Sequence, residues 1–164
     1  MATKTETAAP PKKDHFDTIV RHIGIVQEAC SRLGKQLMEK GDDTGRILIA
    51  NSFLHDNSKF YGIEWESLTS PEENKVLFKA ALSHHQKTNK HHPEYWDGIK
   101  NMPRVYLAEL VCDLYARSAE FGTDLREYLK GTFMPKHEIT VQSTVYKQIK
   151  EFLDLLLEEP FKPL

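Results

Sequence analysis

Two cysteines in 164 residues are too few for a disulfide framework. Both, Cys30 and Cys112, sit inside apolar helical patterns, where small buried thiols are expected. No apolar run approaches the roughly 18 residues that span a bilayer. No charged-then-apolar leader opens the chain, so a soluble, cytoplasmic protein without a membrane partner is expected. An excess of one charge is missing too: 22 Lys and Arg stand against 24 Asp and Glu. With no basic block, an extended nucleic-acid surface is excluded, although a single nucleotide or short phosphate ligand is not. No alternating apolar–polar pattern or hairpin dipeptide competes with the helical reading, which argues against β architecture.

What remains is helical punctuation. Residues 1–13 hold almost nothing to bury and read as a disordered tail, leaving 14–164 as one helical domain. From Asp14 to about Lys40, Phe16, Ile19, Ile23, Val26, Cys30, Leu33 and Leu37 recur at steps of three and four, and Gly41 offers a stop. A second helix is predicted from Thr44 to about Lys59, with Ile47, Leu48, Phe53 and Leu54 apolar and a His-Asp pair in its last turns. Ser70, Pro71 and Glu73 form a start signal for a third, continuing through Val76, Leu77, Ala80 and Ala81 into His84 and His85. Residues 86–102 read as a loop with a short turn at Pro93–Trp96. Pro103 opens a fourth helix to about Phe121, a short one is allowed at Asp124–Leu129, and the last spans Thr140–Glu158. The expected fold is all-α, a bundle of five to six helices.

Eight histidines are the unusual count, and four of them, His84, His85, His91 and His92, fall within nine positions. The pair His55-Asp56 is the most informative local feature. Adjacent helical residues point about 100° apart, so the pair builds a site only if other ligands converge on it. His22 lies on the inward stripe of the first helix, with His15 two turns earlier as its runner-up. Asp113 interrupts the most apolar stretch of the fourth helix, where a buried, unpaired carboxylate would be costly. A cation removes that cost. Together His22, His55, Asp56 and Asp113 neutralise two charges of a dication and leave positions open for water, the mark of a catalytic site. The His84–His92 cluster supplies ligands for a second ion or donors for a phosphate, and Lys59, Lys87, Asn89 and Lys90 are placed in sequence to add phosphate contacts.

The order His22, His55-Asp56, Asp113 on successive helices resembles the HD superfamily of metal-dependent phosphohydrolases, named for that pattern. Lys59 follows as in the frequent HD-x-x-K form. The run His91-His92-Pro-Glu-Tyr-Trp-Asp-Gly, then Met102-Pro103 and Asp113-Leu-Tyr-Ala, is similar to a shortened HD-GYP phosphodiesterase stretch, but lacks the full Gly-Tyr-Pro element that goes with cyclic-dinucleotide cleavage. A small uncharacterised HD-like family of phages and bacteria is closer still, with His-Asp-Asn-Ser-Lys-Phe, then His-His-x-x-x-Asn-x-His-His, Met-Pro and a helical Asp. The resemblance covers roughly residues 15–120. It implies His22, His55, Asp56 and Asp113 as ligands of one metal. It also implies one residue from His84 or His85 and one from His91 or His92 for a second, with His84 and His92 preferred.

The expected activity is hydrolysis of a phosphoester on a nucleotide or other small phosphorylated metabolite. It would use one or two divalent ions (Mn, Fe, Mg, Co or Ni) and Lys59, Lys87 and Asn89 against the phosphate. Two alternatives stand beside it: an HD-type diiron oxygenase, and a helical module that binds a metal or nucleotide without turnover. Related proteins often form homodimers, although no helix here shows an apolar stripe that has to face a partner.

Overall fold

The first helix explains the rest of the fold. In the computed structural model α1 (His15–Glu39) buries Ile19, His22, Val26, Ala29, Cys30, Leu33 and Leu37 along one stripe. Its N-terminal half thus presents a histidine inward and its C-terminal half only apolar groups. The structure describes residues 15–70 and 74–157. The expected tail at 1–13, the expected start signal at Pro71 and Glu73, and the helix ends at Asp14 and Glu158 lie outside those residues.

After Gly41, at φ +77°, the chain reverses into α2 (Thr44–Ser52). These two helices touch backbone to backbone. A Cβ added at Gly45 would lie 2.1 Å from the Gly34 carbonyl oxygen, so only glycine fits at this contact. Asp42 fixes the corner, accepting from the Thr44 amide and from Arg104.

The predicted continuation of α2 to Lys59 does not form. The helix stops at Ser52, residues 53–56 pass through turns, and Asn57–Phe60 makes a single 3-10 turn. Asp56 sits at φ 56°, ψ 16°, in the left-handed region that few residues other than glycine adopt. This break inverts the expected polarity: Phe53 and Leu54 are 66% and 70% exposed, while His55 and Asp56 are buried. A continuous helix could not have aimed two adjacent side chains at one point.

Next come α3 (Gly62–Thr69), which the sequence pattern does not announce, and α4 (Lys75–Thr88). The observed cap of α4 is Asn74, whose side chain accepts from the Val76 and Leu77 amides, while Ser70 ends α3. Two 3-10 turns, Pro93–Trp96 and Ile99–Asn101, lead to α5 (Arg104–Phe121), the central helix. Then follow α6 (Leu125–Tyr128), a π-helical turn at Leu129–Phe133, α7 (Met134–Lys136) and α8 (Thr144–Leu156), which begins four residues later than Thr140, with Ser143 as its cap. The fold is all-α, with no strand among the described residues. No helix among them is long and apolar enough to cross a membrane.

One apolar core joins α1, α2, α5 and α8 through Leu33, Leu37, Leu48, Leu107, Ile149 and Phe152. Cys30 and Cys112 are free thiols buried within it, as expected. The polar site lies beside this core, where α1, the 53–60 turns, α4, the 89–92 loop and α5 meet.

Candidate metal centre

The break after α2 delivers His55 and Asp56 to a point that His22 of α1 and Asp113 of α5 also reach. Asp113 Oδ1 is 3.1 Å from His22 Nε2 and 4.0 Å from His55 Nε2. Asp56 divides its two oxygens. Oδ2 lies 3.6 Å from Nε2 of both His22 and His55. Oδ1 lies 3.4 Å from His85 Nε2 and 3.5 Å from His91 Nε2. The His92 ring completes the second side, its centroid 4.3 Å from that of His91 and 4.7 Å from that of His85.

These groups meet without satisfying one another. The inward Nε2 atoms of His22, His55, His91 and His92, with Asp56 Oδ1 and Asp113 Oδ1, are buried and have no hydrogen-bond partner. Buried polar atoms are almost always paired, with protein groups, water or an ion, so six unpaired donors and acceptors at one spot mark a place that could hold a ligand. Three overlapping sets could hold a metal ion: His22–His55–Asp56, His55–His91–Asp113 and His85–His91–His92, the ligand atoms of each lying within 4.8 Å of one another.

The outward nitrogens of His22, His55, His85 and His91 face carboxylates instead. His22 Nδ1 lies 3.1 Å from Glu120 Oε2, His55 Nδ1 lies 3.0 Å from Glu109 Oε1, and His85 Nδ1 lies 2.8 Å from Glu64 Oε2. A carboxylate there accepts from Nδ1–H and leaves the Nε2 lone pair facing inward, as a ligand histidine requires. Glu109 Oε1 also lies 3.5 Å from His91 Nδ1, so one carboxylate steadies two rings.

The chain belongs to DUF5662, a family of unknown function. The family model matches residues 11–158. No curated protein and no solved structure matches the chain.

In this DUF5662 chain, burial and charge decide the protonation of the centre. Burial alone would raise the Asp56 carboxyl, but His55, Lys59, His91 and His85 outweigh it and hold it well below the ordinary carboxylate range. Asp113 is likewise lowered against its burial, by the His22 ring 3.1 Å away and by His55 and His91. Glu109, bonded by two rings, falls to about 2 despite being buried. Burial would lower His55, yet Asp56, Glu109 and Asp113 outweigh it and raise the ring. Burial lowers His85, and burial with the neighbouring His91 and His85 takes His92 to about 3. His92 is therefore a neutral imidazole near pH 7, with a free lone pair.

Most of the expected site residues converge, with instructive departures. Of the first histidine pair, His85 faces the centre and the preferred His84 does not. The two rings leave the last turn of α4 in different directions, and His84 binds Glu64 Oε1 from outside with its side chain 44% exposed. Of the second pair, both His91 and His92 reach the centre. Asn89 holds the framework rather than facing a ligand, its amide donating to Ser58 Oγ and to the His85 carbonyl. Lys87 is exposed and outside the cavity at the site, whereas Lys59 lines that cavity and donates to Asp56 Oδ2. His15 belongs to none of the convergent sets.

Sequence reasoning missed Glu64, Glu109, Arg117 and Glu120. Three of them, with Asp113, stand at steps of four, four and three along α5, a polar stripe through an apolar helix. That periodicity was the available signal. Glu64 had none, because α3 itself is unmarked.

Proposed function

We propose that this protein is a metal-dependent phosphohydrolase acting on a small phosphorylated metabolite, a nucleotide included. The observation that carries the reading is the division of Asp56: one oxygen faces the His22–His55 side, the other the His85–His91 side. A carboxylate placed so between two imidazole groups suits a pair of divalent ions. His22, His55, Asp56 and Asp113 would hold the first. His85, His91 and His92, with the second oxygen of Asp56, would hold the other. The unpaired buried atoms fit this donor set, and the HD-like order of the residues in sequence supports it.

A bound divalent ion supplies a water of near-neutral pKa and polarises a phosphoryl oxygen. The chain's own residues do the rest. Glu109, Glu120 and Glu64 hold the rings in register. Lys59 and Arg117 line a cavity of about 350 Å³ at the centre, where their charges oppose those of a phosphate. In the net reaction a water oxygen bonds to phosphorus and the ester P–O bond breaks. One water proton goes to the departing alcohol and the other stays on orthophosphate.

The test is elemental analysis of the purified protein together with orthophosphate release from a panel of phosphomonoesters. Asp56→Ala is expected to lose both metal and turnover; turnover retained by a metal-free Asp56→Ala protein overturns the reading. The donor set of five imidazoles and two carboxylates also suits iron, which favours a diiron oxygenase as the second reading. Bound iron with oxygen consumption and no phosphate release would select it.

A further inference from the structure

The lining of the cavity at the centre is of two kinds. Lys59, Arg117, His85, His92 and Asp113 make its polar part. Arg117 keeps donors to spare, since its neighbours are Glu120 at 3.3 Å and Asp113 at 4.0 Å. The rest is largely hydrocarbon: Leu68 of α3 with Phe78, Ala81 and Leu82 of α4. Phe78 and Leu82 are 58% and 43% exposed, one helical turn apart on the same face.

A sugar or polyol would be poorly served there. Each hydroxyl leaving water needs a partner, and a site that recognises hydroxyls supplies them. Beyond the centre and its two cations, the lining offers the Ser67 hydroxyl and the Glu64 carboxylate. That carboxylate is already engaged by Ser58, His84 and His85. An aromatic or branched hydrocarbon asks for no partner and gains from covering Phe78 and Leu82.

We infer that the substrate is a phosphomonoester of an apolar alcohol, an aryl or branched-alkyl phosphate. Its phosphate lies between the metal-capable cluster and Lys59 and Arg117, and its hydrocarbon body lies against Phe78 and Leu82. This rests on the phosphohydrolase reading for the chemistry and narrows its substrate range, leaving out nucleotides and sugar phosphates; the ligand class is tested separately, by binding without turnover.

The full chain, reconstituted with manganese, is titrated calorimetrically with phenylphosphonate and with methylphosphonate, neither of which has a P–O ester bond to hydrolyse. Phenylphosphonate is expected to bind at least tenfold more tightly, ~1.4 kcal/mol. Phe78→Ser should remove most of that preference and Phe78→Leu should restore much of it. Equal affinities in the unmodified protein, no binding of either compound, or a preference untouched by Phe78→Ser would overturn the inference. Phosphate release from phenyl phosphate, glycerol phosphate and ribose phosphate separates the two levels. A phenyl preference in binding with no release from any ester removes hydrolysis and keeps the ligand class. Equal release from all three, with no phosphonate preference, removes the ligand class and keeps hydrolysis.

Discussion

Helices α1 and α5 each serve two regions of opposite character. On α1, Val26, Cys30, Leu33 and Leu37 are wholly buried among hydrocarbon, while His22, one turn before Val26, is as buried among carboxylates and imidazoles. On α5, Leu107, Ala108, Val111 and Cys112 face the core, and Glu109, Asp113 and Glu120 face the centre. The apolar region asks for little beyond itself: its side chains cover one another, and the Tyr146 hydroxyl is the core atom left without a hydrogen-bond partner among the described residues. The polar region differs: its outward atoms are matched by Glu64, Glu109 and Glu120, whereas its inward atoms are left unpaired. Equal burial therefore means different things in the two places. In the core it stabilises the fold, and in the centre it gathers groups that could hold a metal ion.

That contrast can be broken most severely from the apolar side. Leu33→Ala empties a fully buried position and should cost about 3 kcal/mol in denaturant unfolding. Metal bound per folded molecule should stay unchanged. If metal content fell in proportion, the two regions would be one cooperative unit rather than two.

Chelation tests the polar side. If the centre binds a divalent ion in the folded state alone, excess metal at about a hundred times its dissociation constant adds ~2.7 kcal/mol of stability, which a chelator removes. Asp56→Ala should abolish this metal-dependent rise in melting temperature. An identical melting temperature with metal and with chelator would show that the inward atoms tolerate being unpaired.

The outer carboxylates are expected to matter less than the ligands themselves. Glu109→Gln keeps an acceptor for His55 and His91 but removes the charge, and should weaken metal affinity about tenfold. An affinity equal to the unmodified protein would relegate Glu109 to packing.

The smallest effect belongs to the α1–α2 corner, which is neither core nor centre. Burial would raise the Asp42 carboxyl, but the Thr44 and Arg104 contacts lower it below its ordinary 3.8. A depressed folded-state pKa stabilises the protein above the unfolded value and loses that contribution as pH falls through the folded one. Asp42 is partly exposed, so solvent screening keeps the effect under about 1 kcal/mol. The stability difference between the unmodified protein and Asp42→Asn should be present near pH 6 and shrink below pH 3.8.

Much of this was legible locally. The stripe of α1, the start of α5 after Pro103 and the apolar face of α8 follow from period-3.6 patterning. The convergence of His22, His55, Asp56 and Asp113 was readable because a histidine or carboxylate inside an apolar helical stretch calls for a reason. Helix α2 misled because Phe53 and Leu54 extend its apolar pattern, whereas the chain breaks after Ser52 and turns them to solvent. The choice between His84 and His85 was not decidable from the spacing of residues along the helix. Both rings bind Glu64, and which one also reaches Asp56 depends on where α3 carries that carboxylate.

The amino-acid sequence by itself determined an all-helical chain and the residue types of its polar centre, since helical periodicity and the misfit of a charged group among hydrocarbon are local properties. Tertiary structure alone decided that Asp56 adopts a left-handed turn with its oxygens facing two histidine groups, that His85 rather than His84 turns inward, and that Phe78 and Leu82 wall the cavity. Those outcomes depend on how α1, α3, α4 and α5 pack, and the orientation of a side chain at a helix end or break is set by neighbours distant in sequence.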